Sequence, residues 1–390
     1  MNKRSVRDLD VGDKRVLVRV DFNVPVKGGE VTDDTRIRRA LPTIRYLLSE
    51  GGRPILISHL GRPKGEPDPE YVMDPVATRL GELLGEPVEK LDAAVGPEVE
   101  EALRDWNGRG VVLLENSRFY PGETKNDPGF ADQLAALADL YVDDAFGAAH
   151  RAHATTVGVA QRLPAAAGLL LEEEIDYLDT VLEDPERPFV AILGGAKVSD
   201  KLGVIESLLG TADSLLVGGA MCFTFFEALG YEIGDSLVED DYLEEAKRLM
   251  DEAGDRLVLP VDVVVADAME EGAESQTVPV DGIPTGKMGL DIGPETVDLF
   301  EKHISGASTI FWNGPMGVFE IDAFAGGTEG VARAVADSEA TSVVGGGDSV
   351  AAVNKLGLEG EMSHISTGGG ASLEYVEGKE LPGVAVLPDE

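Results

Sequence analysis

Phe189-Val-Ala-Ile-Leu193 is an apolar run that stops at Gly194-Gly195-Ala196-Lys197, and the pattern recurs through the second half of the chain. Leu215-Leu216-Val217 meets Gly218-Gly219. Ile310-Phe311-Trp312 meets Asn313-Gly314-Pro315. Val343-Val344 meets Gly345-Gly346-Gly347-Asp348-Ser349, and His364-Ile365-Ser366 meets Thr367-Gly368-Gly369-Gly370. A short apolar run bounded by glycine reads as a strand buried on both faces. Glycines between such a strand and a helix leave backbone N–H groups free to cradle phosphate. One turn of this kind says little. Five in one half predict a row of parallel strands whose carboxyl ends line up as a single anion-binding crest.

The first half follows the same plan. Arg15-Val-Leu-Val-Arg-Val20, Pro54-Ile-Leu-Ile-Ser58, Val111-Val-Leu-Leu114 and Leu140-Tyr-Val-Asp143 read as strands. Helical spacing fills the intervals over Thr35–Leu48, Pro75–Leu84 and Gly129–Ala138. The second half adds strands at Leu257-Val-Leu259 and around Val263-Val-Val265. This alternation predicts an α/β fold of two Rossmann-like, doubly wound domains, each a parallel sheet flanked by helices. Leu169 to Leu182 has helical spacing between prolines, so residues 169–184 are expected to be a connecting helix and a hinge. Residues 1–168 then form one domain and residues 185–373 the other.

A chain of 390 residues exceeds one ordinary core. No long apolar span or leader-like start is present, so a cytoplasmic protein is expected. Cys222 is the only cysteine, which excludes an internal disulfide and a cysteine-based metal cluster. Asp and Glu number 72 against 33 Lys and Arg, a net charge of −39 that repels nucleic acid and anionic membranes. Neither is expected as a partner. An acidic surface of this density fits multimolar salt, where the Debye length is about 3 Å or less. A halophilic archaeon is the expected source.

The glycine turns alone do not choose a ligand. No Walker sequence and no Gly-x-Gly-x-x-Gly after the first strand is present, which argues against a P-loop hydrolase and a dinucleotide oxidoreductase. Lys197 and Lys201 follow the Gly194-Gly195 turn; if a helix starts there, they share one face and both reach phosphate oxygens. Solvated helix lysines would look the same, but lysine is scarce here. Asp348 lies in a glycine nest and suits Mg²⁺, which takes few protein ligands; an ordinary N-cap aspartate would occupy the same place. Glu320 could accept from ribose hydroxyls or be a surface carboxylate. The first half carries the opposite sign: Arg36, His59, Arg62, Arg118, His150, Arg151 and His153 fall at strand ends or tight loops. Surface ion pairs are the plain alternative for each arginine. Clustered, they would focus a small anion and grip carboxylate or phosphate in bidentate fashion.

These segments together resemble the phosphoglycerate kinase family. The resemblance rests on Arg19-Val-Asp-Phe-Asn-Val-Pro25, His59-Leu-Gly-Arg-Pro63, Leu114-Glu-Asn-Ser-Arg-Phe119, Asp144-Ala-Phe-Gly147 with His150-Arg-Ala-His153, and Gly194-Gly-Ala-Lys-Val-Ser-Asp-Lys201. It continues through Trp312-Asn-Gly-Pro-Met-Gly-Val-Phe-Glu320, Gly345-Gly-Gly-Asp-Ser349 and Ser366-Thr-Gly-Gly-Gly-Ala371, in order from residue 15 to about residue 374. Departures are small: Asp143 precedes Asp144 where asparagine is usual, Gly147-Ala148-Ala149 precedes His150, and Ser349 replaces a commoner threonine. None removes a charged ligand.

The resemblance implies a glycolytic enzyme that moves a phosphoryl group between ATP and the carboxylate of 3-phosphoglycerate, giving ADP and 1,3-bisphosphoglycerate; a monomer is expected. It implies that residues 374–390 return to the first domain. It implies that Asp21, Asn23, Arg36, His59, Leu60, Gly61, Arg62, Arg118 and Arg151 bind 3-phosphoglycerate, with His150 and His153 in the same basic patch. Lys197, Lys201, Asn313, Glu320, Gly346, Gly347, Asp348 and Ser349 would hold the nucleotide with Mg²⁺, the metal on Asp348. Arg36, Lys197 and Lys201 would serve the transfer itself. The acceptor carboxylate is already ionised at pH 7, so no general base is needed; positioning and positive charge suffice. The rival readings are another two-domain kinase of a small acid and an inactive nucleotide-binding interaction protein.

Overall fold

Residues 2–390 are described by a computed structural model, in which the chain divides into two units, Met1–Asp176 with Glu380–Glu390 and Tyr177–Lys379. The strands of the first unit are β1 (Arg15–Val20), β2 (Val26–Lys27), β3 (Glu30–Val31), β4 (Arg53–Ile57), β5 (Val88–Lys90), β6 (Val111–Leu113), β7 (Leu140–Asp144) and β8 (Ala165–Ala167). Six of them form one parallel sheet in the order β5-β6-β4-β1-β7-β8. β1 lies inside it, with Val18 opposite Leu56 on one side and Val142 on the other. Residues 16–20 are all buried, as a strand covered on both faces requires. The helix Thr35–Ser49 turns Ile37, Leu41, Ile44 and Leu47 onto Val16, Val18 and Val20, and this cluster is the unit's core.

In the second unit the strands are β9 (Phe189–Leu193), β10 (Ser214–Val217), β11 (Leu257–Val258), β12 (Asp262–Ala266), β13 (Ser275–Pro279), β14 (Met288–Ile292), β15 (Thr309–Asn313), β16 (Thr341–Gly345) and β17 (His364–Ile365). The five glycine-ended runs are β9, β10, β15, β16 and β17. They are adjacent in one parallel sheet, β11-β10-β9-β15-β16-β17. All of β9 and β15 is buried, and Trp312 shares a core cluster with Ile192 of β9 and with Phe300, Val331 and Val335 from the covering helices.

The stretch around Val263 departs from the expected plan. β12 belongs to a separate antiparallel sheet, β13-β12-β14. Only residues 259–261 separate it from β11, whereas a parallel crossover needs about a dozen residues or more.

The helix Leu169–Leu182 begins in the first unit and ends in the second. Its start is held by the buried Asp144, whose Oδ1 accepts from the amides of Leu170 (2.9 Å) and Leu171 (3.4 Å). The last eleven residues, Glu380–Glu390, rejoin the first unit: the Gly383 amide donates to the Ala149 carbonyl (2.8 Å), Arg4 donates to Pro388 (2.9 Å) and Lys3 pairs with Asp389 (2.7 Å). Among the described residues no helix is long and apolar enough to cross a membrane.

Candidate active site

In the first unit the segments after β1, β4, β6 and β7 converge beyond the carboxyl ends of the sheet. Arg36, in the first turn of its helix, donates from Nη1 to the Asn23 carbonyl (3.0 Å) and lies 3.3 Å from Oδ2 of the buried Asp21. Asn23 Oδ1 accepts from the Gly61 amide (2.9 Å), and Arg118 Nη1 donates to the Gly61 carbonyl (2.7 Å). Leu60 is buried between them, while Arg62 and Arg151 stand exposed. Arg62, Arg118 and Arg151 form no contact ion pair with a carboxylate among the described residues, although the chain holds 72 acidic side chains and Arg118 lies within the field of Asp21 and Glu123.

Beneath this surface lies a cation carried by the first strand itself. Arg19 is 1% exposed, next to last in β1. Its Nε donates to Thr155 Oγ1 (2.9 Å), its Nη2 to His59 Nδ1 (2.9 Å) and its Nη1 to the Val20 carbonyl. Thr155 passes the contact on, donating from Oγ1 to Oε1 of the fully buried Glu123 (2.6 Å). Burial and the nearby Arg19, Arg118 and Arg36 hold His59 well below the usual imidazole range. Burial and Arg118, Arg19 and Arg151 push His153 down to about 4. Both rings are therefore neutral at pH 7, and the positive charge of the cluster is carried by arginine. The available sequence signal is a charged residue between Val18 and Val20, beyond the apolar run Val16-Leu17-Val18.

In the second unit Lys197 and Lys201 do not share a helical face. The helix starts at Leu202, and residues 194–201 form the turn before it. Glu239 holds this turn open, accepting from the Ser199 amide (3.0 Å) and hydroxyl (2.6 Å). Lys197 is exposed. Lys201 donates to Asn313 Oδ1, and burial pulls its ammonium below the ordinary lysine range against the attraction of Asp200, Asp348 and Glu377.

Asn313 ends β15 and is buried, yet its Nδ2 has no partner among the described residues. It faces Gly346, the N-cap of the helix Gly347–Leu356, where φ is +90° and an added Cβ would lie 2.8 Å from that nitrogen. An unpaired buried donor beside a glycine turn at a helix start fits a phosphate group. Ser349 is buried and structural, its Oγ accepting from the Gly314 amide (2.6 Å). Asp348 is not the N-cap; it lies exposed in the first helical turn. Both Asp348 and Glu320 line a cavity of about 740 Å³, with the Gly195 and Gly219 turns on one side and Phe223, Leu290, Met316 and Val318 as an apolar wall. The volume suits a small organic ligand. Glycine spacing had located the turns, but nothing in the sequence pattern pointed to this apolar wall. A lone exposed carboxylate beside phosphate-binding turns fits Mg²⁺, which keeps waters and substrate oxygens as its other ligands.

Residues 6–379 match the family model for phosphoglycerate kinase. The phosphoglycerate kinase of Rubrobacter xylanophilus is 80% identical over 389 residues, covering 100% of this chain and 99% of that one. That of Thermosipho africanus is 56% identical, covering 100% and 99%. Among solved structures, phosphoglycerate kinase from Coxiella burnetii aligns with a TM-score of 0.89 at 42% identity, covering 98% of each chain. The enzyme from Pyrococcus horikoshii aligns at 0.86 and 34%, again covering 98% of each. The relative at 80% identity is bacterial, so the expected archaeal origin finds no support. With the family model matched over nearly its whole length and relatives of this identity along all of it, the chain belongs to the phosphoglycerate kinase family.

Proposed function

We propose that this kinase transfers the terminal phosphoryl group of ATP to the carboxylate of 3-phosphoglycerate, reversibly, with the first unit binding the acceptor and the second the nucleotide. The observation that carries the assignment of sides is the unpaired arginine cluster. In so acidic a chain, Arg62, Arg118 and Arg151 without contact ion pairs are cations held for an anion from outside. Asp21, Asn23, Arg36, His59, Leu60 and Gly61 complete that site.

On the other side, the Asn313 amide, Lys201, Lys197 and the Gly346-Gly347 turn receive the phosphates. The apolar wall takes the base and Glu320 the ribose. Asp348 would hold Mg²⁺, which supplies charge neutralisation of the phosphates when bound. The acceptor carboxylate is ionised at neutral pH and attacks without a base. Arg36 from one side and Lys197 and Lys201 from the other stabilise charge on the transferring group. Direct transfer needs the two anions in line, so the helix Leu169–Leu182, which carries the chain between the units, is the proposed hinge.

The composition supports a cytosolic monomer. A charge of −39 makes self-repulsion large at low ionic strength, and added salt should relieve it. The test is a coupled assay with 3-phosphoglycerate and Mg-ATP, from low to multimolar KCl. ADP production that depends on 3-phosphoglycerate is expected; its absence at every salt concentration overturns the reading.

A further inference from the structure

Asn116 follows β6 and opens the turn Ser117–Phe119. Its side chain is completely buried, and every hydrogen-bonding position on it is used. Oδ1 accepts from the amides of Leu60 (3.2 Å) and Arg118 (3.0 Å). Nδ2 donates to the carbonyls of Leu60 (2.7 Å) and Tyr71 (2.9 Å). A carboxamide has two acceptor positions and two N–H donors, so the set closes. Capping the turn requires only the bond from the Arg118 amide. Of the other three, two go to Leu60, in the loop that displays His59 and Arg62, and one to Tyr71.

The consequence for that loop is specific. Leu60 has both backbone groups tied to one side chain. The next residue, Gly61, has its amide on Asn23 and its carbonyl on Arg118. Gly61 adopts φ +61°, and the Tyr71 ring lies where a Cβ would stand. The Tyr71 carbonyl is in turn held by Asn116. One amide thus fixes the loop, its tyrosine cover and the Arg118 backbone against one another. Left to itself, an exposed loop would pay conformational entropy each time its cations gathered on an anion.

We propose that Asn116 is a positioning residue for the acceptor, setting the His59–Arg62 loop and the Arg118 turn in register so that their side chains meet one anion. The proposal rests on the acceptor reading given above. Asn116 touches no substrate; it acts through backbone groups of the residues that do.

The test uses Asn116→Ser in the full chain. A serine hydroxyl still accepts from the Arg118 amide and keeps the cap, but it is too short to reach Leu60 and Tyr71. The KM for 3-phosphoglycerate is expected to rise about tenfold or more, with the KM for Mg-ATP within about twofold of the parent. Calorimetric titration of 3-phosphoglycerate without nucleotide should show the same loss. An unchanged acceptor KM overturns the proposal, because it reduces Asn116 to a cap. Equal losses for both substrates overturn it as well, because they mark general damage. If the serine variant does not fold, Asn116→Thr is used, whose hydroxyl keeps the cap and whose methyl fills part of the space without bonding the Leu60 or Tyr71 backbone; the same split between substrates is expected, and its absence is decisive against the idea. A parent enzyme with no turnover dependent on 3-phosphoglycerate would instead remove the acceptor reading itself.

Discussion

The guanidinium of Arg19 donates from Nη2 to Nδ1 of His59 at 2.9 Å, with both residues buried. An arginine in a protein does not give up its proton, so the imidazole nitrogen facing it must be the acceptor. His59 is thereby fixed as the neutral tautomer with its proton on Nε2. In the proposed acceptor site it would supply a hydrogen-bond donor, not a charge. Long-range proton–nitrogen NMR of the histidine rings should show Nδ1 bare at neutral pH, with any protonation of His59 moved well below the ordinary histidine range by burial and Arg19. An Nδ1–H ring, or a titration near the ordinary histidine value, would contradict this.

Arg36 is tied to Asp21 and to the Asn23 carbonyl, which aims it without using all five of its donors. Replacing it with alanine should lower turnover by about a hundredfold or more, the scale on which a donor to developing charge matters. Nucleotide binding, which the proposed function assigns to the other unit, should be little affected. Near-normal turnover in the Arg36→Ala enzyme would remove its role in the transfer.

Asp348 is the carboxylate through which the nucleotide site would engage Mg²⁺. Chelation of divalent ions should abolish the transfer. Asp348→Asn should raise the Mg²⁺ concentration for half-maximal rate by about tenfold while leaving metal-free nucleotide binding intact. Titration of rate against Mg²⁺ for both proteins decides it; superimposable curves would exclude Asp348 as the ligand.

Asp144 makes a statement about pH. Burial pushes its carboxyl up to about 8, against the opposing hydrogen bonds of the Thr43 hydroxyl and the Leu170 and Leu171 amides. Between the unfolded value of about 4 and this folded value, the folded state keeps a proton that the unfolded state has lost. Stability from this group is therefore complete at acid pH and falls as pH rises, by up to about 1.4 kcal/mol per pH unit. Asp143, raised by burial to about 7, acts in the same direction. Asp144→Asn keeps an oxygen for the helix amides and cannot ionise. Urea unfolding at a series of pH values should show a shallower decline for the variant; parallel slopes would refute the assignment.

Much of this could be read before any coordinates. The five glycine-ended runs are legible because a strand buried on both faces must be apolar throughout and its turn must be glycine-rich. Ala165–Ala167 and Val88–Lys90 escaped notice because three-residue edge strands carry no such pattern; the pairing of Tyr141 and Val142 with Ala165 and Ala166 makes the former a strand. Lys197 and Lys201 look helical in spacing, but Glu239, some forty residues on, holds their segment as a turn. Asn116 and Arg19 gave only their identities. What they do depends on partners 56 and 136 positions away, which no local pattern encodes.

The return of Glu380–Glu390 to the first unit sets an order on biosynthesis. Tyr177–Lys379 is one continuous stretch and has all its partners once it has left the ribosome. The first unit, though translated earlier, waits for its last eleven residues, and one of them, Gly383, hydrogen-bonds the carbonyl of Ala149, next to His150 and Arg151. A nascent chain can thus complete its second unit while the first still lacks the hydrogen bond from Gly383 to Ala149.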